Sequence, residues 1–242
     1  MDEVVSDRVE ERLAGGAQTA GVVRVGDTVR YPAHPRSEFV DGLLRHLERV
    51  GFDGAPRALG YDVQGRQVLT FVEGEVFHSP PYGLSDAQLL SATTLIHSYH
   101  DATATSSLRG GQEVVCHGDL GPHNMVFRGD QAVAIIDWDA GVAPGRRADD
   151  FAQAVWCLAD LIEPTVPLVE QSRRLALTCH AYPGRSPAIV VSELIARFKR
   201  ARAQHDRAGR VRAVEIFDGL ISWMNDNGQR IESTHPVPDE PA

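Results

Sequence analysis

His117-Gly118-Asp119-Leu120-Gly121-Pro122-His123-Asn124, followed by Ile136-Asp137-Trp138-Asp139, is the stretch on which the reading of this chain turns. An Asn stands five residues beyond Asp119, and an Ile-Asp pair places its carboxylate eighteen residues beyond it. Val114 and Val115 lead in, Met125 to Phe127 lead out, and Gly129 with Asp130 turns the chain into Ala132 to Ile136, so the polar residues fall at the ends of a short hairpin. Three oxygen donors at fixed spacing on rigid backbone suit phosphoryl transfer: one carboxylate orients and deprotonates a hydroxyl, while an amide and a second carboxylate hold magnesium against nucleotide phosphates. The plainer alternative is a polar hairpin in which Asp119 and Asn124 only satisfy turn backbone.

Outward from this stretch, the pattern divides the chain. Gly21 to Val25 and Thr28 to Tyr31 are β-branched runs around Gly26-Asp27, which predicts a hairpin. Phe39, Val40, Leu43, Leu44, Leu47 and Val50 recur at helical spacing, with Ser37 as the predicted N-cap and Gly51 as the C-terminal cap. Gln67 to Val72 reads as a strand. Ser85 with Gln88 forms a capping-box signature that opens a helix over 86–101. Helices are predicted over 149–162, 167–180, 187–204, the last with Ser186 and Pro187 at its start, and 211–227, stopping before Gly228. The tail 232–242 is Pro-rich and acidic and is predicted disordered.

Composition sets the outer limits. The chain has 242 residues, 43% hydrophobic and 24% charged, enough to bury a core without staples. Cys116, Cys157 and Cys179 form no CxxC pair, so neither a disulfide framework nor a zinc site is expected, and a reducing cytoplasm fits. The acidic start and the want of a long apolar run predict neither secretion nor membrane insertion. A formal net charge of −9 argues against nucleic-acid binding and is compatible with a cationic small substrate. Lys199 is the only lysine.

With these residues the chain resembles the aminoglycoside phosphotransferase and choline kinase-like family, whose catalytic loop reads HGDxxxxN and is followed by a metal-binding Asp after an apolar strand. The resemblance implies an α+β, two-lobed protein-kinase-like fold: a reduced nucleotide-binding lobe over 1–73, of small sheet plus helix, and a larger, mainly helical catalytic and substrate lobe over 74–231. It implies Asp119 as the catalytic residue, Asn124 and Asp137 as Mg²⁺ ligands, ATP or GTP as donor, and His117 and Asp150 as supports of the loop. An ordinary helix-start carboxylate is the alternative for Asp150. Asp139 is either a further metal-side or substrate-side carboxylate or a surface turn residue, and His123 reads as a solvated loop residue.

Thirteen residues separate Asp137 from Asp150, too few for a peptide-docking segment, so a small hydroxylated molecule is the expected acceptor: an aminoglycoside-like antibiotic, another natural product or a metabolic alcohol. The family's small-lobe lysine has no counterpart. Arg30 aligns best with it and Arg24 is the alternative, each competing with the reading of a solvated strand cation. Glu38 and Asp41 are the helix carboxylates on offer as partners. Gly15 and Gly16 are what is left of a glycine-rich phosphate loop, and Thr70, Phe71 and Val72 mark where adenine would sit. Acceptor contacts are expected among Glu215, Asp218, Trp223 and Asp226. Two functions follow: a magnesium- and nucleotide-dependent small-molecule kinase, or a non-catalytic binding relative acting in immunity or regulation. Oligomeric state is left open.

Overall fold

Gly26 and Asp27 turn the chain between two short strands that open a five-stranded antiparallel sheet, in a computed structural model that describes residues 10–12, 21–139 and 141–232. The sheet comprises β1 (Glu11–Arg12), β2 (Val23–Val25), β3 (Thr28–Tyr31), β4 (Ala58–Tyr61) and β5 (Gln67–Thr70), in the spatial order β1-β2-β3-β5-β4. Between β3 and β4 runs α1 (Ser37–Arg49), which buries Val40, Leu43, Leu44 and Leu47. Ser37 is the first residue of this helix and not its cap. Its hydroxyl accepts instead from the backbone N–H of His34 at 2.9 Å, and Arg36 takes the cap position without a side-chain bond. Gly51 does close the helix, its N–H reaching the Glu48 carbonyl at 3.1 Å.

The chain leaves the sheet at Thr70 and passes along the second lobe. Gly74 adopts φ +150°, and a Cβ there would stand 2.4 Å from Val126 Cγ1 and 2.5 Å from the Phe127 carbonyl oxygen. Only glycine lets the connection lie this close, and Glu75 then exchanges two backbone hydrogen bonds with Phe127, each 2.8 Å.

The capping box on Ser85 and Gln88 starts α2 (Asp86–Ala104), which runs a turn beyond the 101 predicted. Next come β6 (Val114–Cys116), the antiparallel hairpin β7 (Met125–Arg128) and β8 (Gln131–Ile135), and β9 (Ala143–Gly145), which pairs with β6. The helices that follow are α3 (Arg147–Leu158), α4 (Leu168–Ala181), α5 (Pro187–Arg207) and α6 (Val211–Glu232). The core joins α1, α2 and the inner face of the sheet to β6–β8 and α3–α6, with Trp138, Tyr99, Phe127, Phe151 and Phe198 fully buried.

Gly228 does not end the last helix. It lies inside α6, and a Cβ there would stand 3.2 Å from Val191 Cγ1 of α5, so the glycine serves the helix crossing. Glu232, assigned to the tail on sequence, is the last residue of that helix, and 233–242 lie outside the described residues.

Candidate active site

Pairing of β6 with β9 sets Cys116 opposite Ala143, and this brings the start of α3 beneath the loop that begins at His117. Asp150, in the first turn of α3, accepts the backbone N–H of His117 at 2.9 Å and of Gly118 at 2.8 Å. Its carboxylate is fully buried and also meets His100 Nε2 at 3.1 Å, while His100 Nδ1 lies 2.7 Å from the Tyr182 hydroxyl. Burial pushes the Asp150 carboxyl upward, but His100 foremost, with the Gly118 N–H and His117 assisting, outweighs it and holds it below the usual range. Gly118 adopts φ +87°, and a Cβ there would stand 2.6 Å from the Gly141 carbonyl oxygen, so the two loops of the site touch through bare backbone. From α5, Arg197 donates to the Gly118 carbonyl at 3.2 Å.

Asp119 and Asn124 lie against each other at the two ends of this loop. The Asn124 side-chain amide donates to the Asp119 backbone carbonyl at 2.9 Å and to its carboxylate at 3.1 Å, which fixes the amide with its nitrogen toward Asp119. The Ile136 N–H donates to the Asn124 carbonyl at 2.9 Å, tying the loop to the strand end that carries Asp137. His123 is not a bystander. Its Nε2 lies 3.5 Å from the Asp119 carboxylate, its Nδ1 lies 3.0 Å from the Tyr82 hydroxyl, and the two rings are stacked. His123 foremost holds the Asp119 carboxyl below its ordinary value, with burial opposing and His117 and Asn124 assisting. The four-residue spacing from Asp119 was the sequence signal for His123, whereas Tyr82, 37 residues before Asp119, gave none.

Asp137 adopts φ +62°, a conformation that non-glycine residues rarely take and that recurs at functional positions. His117 Nε2 bonds the neighbouring Ile136 carbonyl at 3.0 Å, and Trp138 stands edge-on to the His117 ring at 4.8 Å. Burial raises the Asp137 carboxyl above its ordinary range, with the charge of Asp139 adding to it. Asp139 itself accepts the Gly141 N–H at 2.8 Å and so shapes its own turn.

Such crowding of carboxylates fits a divalent cation. Among the described residues no three His, Cys, Asp or Glu side chains converge as a metal cage, so a cation at Asn124 and Asp137 would take its other oxygens from phosphate and water, as magnesium does.

The small lobe departs from the expected arrangement. Arg30 pairs with Asp62 at 3.6 Å and bonds the Thr28 hydroxyl at 2.6 Å. Neighbours on a strand face opposite ways, so the face opposite Arg30 belongs to Val29 and Tyr31. It is Tyr31 that lies near Asp137 and Asp139: burial, then these two charges, raise its hydroxyl far above the ordinary tyrosine value. Gln67 stands opposite Tyr31 in the sheet and is buried. Arg24 is committed elsewhere, lying 3.8 Å over the Phe71 ring and 3.1 Å from Glu73. Of the residues expected near adenine, Thr70 closes β5, and Phe71 donates its N–H to the Asp27 carbonyl at 2.8 Å before Val72 continues the connection. On α1, Asp41 pairs with Arg45 at 2.7 Å. Gly15 and Gly16 lie outside the described residues.

A cavity of about 380 Å³ opens beside Asp119 and His123. Its walls come from Pro80 and Tyr82, from Gln153, Trp156 and Cys157 of α3, from 160–163 in the loop after it, and from Leu220 of α6. Glu215, Asp218, Trp223 and Asp226 are not among them, and Asp218 pairs with Arg202 at 2.9 Å. The lining residues of the loop after α3 carry no periodic pattern, so only folding brings them to Asp119.

Residues 83–182 match the model of the phosphotransferase enzyme family APH. A trifolitoxin immunity protein of Rhizobium leguminosarum bv. trifolii is 37% identical over 171 residues, a match spanning 64% of this chain and 64% of that protein. In three dimensions the chain is similar to a choline/ethanolamine kinase family protein from Mesorhizobium loti, with TM-score 0.59, 15% identity, and coverage of 97% of this chain and 91% of the other. It is also similar to the GDP complex of aminoglycoside 2'-phosphotransferase-IIIa, with TM-score 0.56, 12% identity and coverage of 93% and 94%. Against an aminoglycoside phosphotransferase from Streptomyces rimosus the TM-score is 0.52, at 15% identity over 78% of this chain and 92% of the other. The match over residues 83–182 takes in the loop of Asp119 and the strand end of Asp137, and the chain has the two-lobed kinase-like fold of these structures.

Proposed function

We propose that this chain is a magnesium-dependent phosphotransferase that moves the γ-phosphoryl group of ATP or GTP to a hydroxyl of a small molecule. The observation that carries this reading is the Asp119 carboxylate, held by Asn124 and His123 and lining a cavity large enough for an acceptor. A hydroxyl in that cavity would hydrogen-bond Asp119. As its oxygen forms the new bond to phosphorus, the bond to the nucleoside diphosphate oxygen breaks, the hydroxyl proton passes to Asp119, and the diphosphate leaves. Because Asp119 is a weak base, its main contribution is orientation, in keeping with a loose transition state in which proton transfer comes late. Asn124 and Asp137 would hold the magnesium ion, which when bound neutralises charge on the phosphates. His117 and Asp150 keep the loop in place. Protection against a toxic compound by modifying it, in the cytoplasm, agrees with the relative that bears an immunity name and with three free cysteines.

A second reading has its own support. Tyr31, the small-lobe side chain on which the charges of Asp137 and Asp139 act, supplies no cation, which favours a binding protein that sequesters its ligand without turnover. Calorimetric titration of ATP and GTP, with and without magnesium, tests the main reading. The native chain is expected to bind nucleotide only with magnesium, and Asp137→Ala is expected to lose that dependence. Nucleotide binding with no hydroxyl-dependent nucleotide consumption across a broad acceptor screen would favour the second reading. No magnesium-dependent binding at all would remove the first.

A further inference from the structure

The charge inventory of the cavity beside Asp119 defines its ligand more narrowly. Of its carboxylates, Asp119 is reserved for the acceptor hydroxyl in the phosphotransferase reading, on which this inference rests. Asp160 is buried and already neutralised. Arg174 meets it at 2.6 Å, and the backbone N–H groups of Tyr82 and Gly83 donate to it at 2.8 and 3.1 Å. The Gln153 side-chain amide oxygen Oε1 accepts from Arg197 at 2.9 Å. Burial pushes the Cys157 thiol up to about 12, so it is neutral at physiological pH. Among the carboxylates of the described lining residues, Glu163 alone is left to meet a cation, and it already accepts the Thr165 hydroxyl at 2.7 Å.

The remaining wall is apolar and rigid. Trp156 is braced edge-on by Phe198 at 5.0 Å, Tyr82 is stacked on His123, and Leu161, Ile162 and Leu220 complete it. Asp160 and Ile162 hold φ of +47° and +69°, so this wall is kept in a conformation that costs the chain and that its burial maintains. A polycation entering here would lose hydration at several ammonium groups with one carboxylate to receive them.

We propose that the acceptor is a hydroxylated compound with a largely apolar, ring-bearing body and no more than one cationic group. An amine-rich sugar is excluded by the same inventory.

Three probes distinguish these classes by calorimetry on the full chain with magnesium and ADP or GDP: 2-(1-naphthyl)ethanol, propranolol as an aromatic alcohol with one amine, and kanamycin as a sugar with several amines. The two naphthyl alcohols are expected to bind saturably and kanamycin is not. Trp156→Ala should weaken both by about tenfold, and Leu220→Ser, at the edge of the wall, should weaken both in the same direction. Glu163→Gln should weaken propranolol while leaving the neutral alcohol unchanged. Tighter binding of kanamycin, failure of both naphthyl alcohols, or naphthyl binding indifferent to Leu220→Ser and Trp156→Ala would each overturn the proposal. The phosphotransferase reading fails separately, through loss of magnesium-dependent nucleotide binding, and alcohol binding that persists without it would leave the ligand class standing.

Discussion

Asp119 and Asp150 are carboxylates of one neighbourhood with different duties, set by what surrounds them. Asp119 lines a cavity and is held by two side chains, so on the proposed phosphotransferase reading Asp119→Asn is expected to cut nucleotide turnover by roughly 10²- to 10⁴-fold, the usual range for a positioned acid or base, with the urea midpoint little changed. Asp150 is sealed in the core, and Asp150→Ala strands His100 and two backbone N–H groups. The expected loss is about 3–5 kcal/mol in urea unfolding, as for other broken buried pairs. Its folded value lies below the ordinary one, so its stabilisation is complete above the ordinary Asp value of about 3.9 and is lost as pH falls through the lower folded value. Unfolding curves at acid pH should show the native chain and Asp150→Ala converging.

At the scale of elements, β3 decides what the small lobe would offer a nucleotide in the proposed reading. Strand alternation turns Tyr31 toward Asp137 and Arg30 toward Asp62, and this one-residue difference in register was invisible while only the run of residue types was known. Tyr31→Lys would put an ammonium near Asp137 and Asp139. It is expected to tighten magnesium-nucleotide binding by roughly tenfold in calorimetry, about 1.4 kcal/mol, and unchanged affinity would show that phosphates do not reach this face. Elements with strong local signals were legible in advance: the hairpin at Gly26-Asp27, the capping box at Ser85, and Ser186-Pro187 at the head of α5. Strands β1, β4 and β9, of two to four residues, were not, because such lengths are too short to show a period and are held by partners distant in sequence.

Across the whole molecule, the two lobes are joined by a connection that hugs β7. Gly74 makes that approach possible, and Glu75 and Arg128 secure it, the latter donating to the Glu73 carbonyl at 3.0 Å. Gly74→Ala would drive a methyl into Val126 and the Phe127 carbonyl. It is expected to cost about 1–3 kcal/mol and to weaken magnesium-nucleotide binding, read together by thermal unfolding and calorimetry.

The spacing of His117, Asp119, Asn124 and Asp137 carried the resemblance to the phosphotransferase family, and through it the expectation of a two-lobed fold, because a loop and strand pair that must present donors at fixed distances writes those distances into the chain. The placement of Tyr31, the commitment of His123 to Asp119 and Tyr82, and the cavity wall built from the loop after α3 were decided only in three dimensions. The physical reason is range. Caps, turns and loop motifs act over a few residues, whereas strand facing and cavity lining depend on packing between segments tens of residues apart, which no local pattern records.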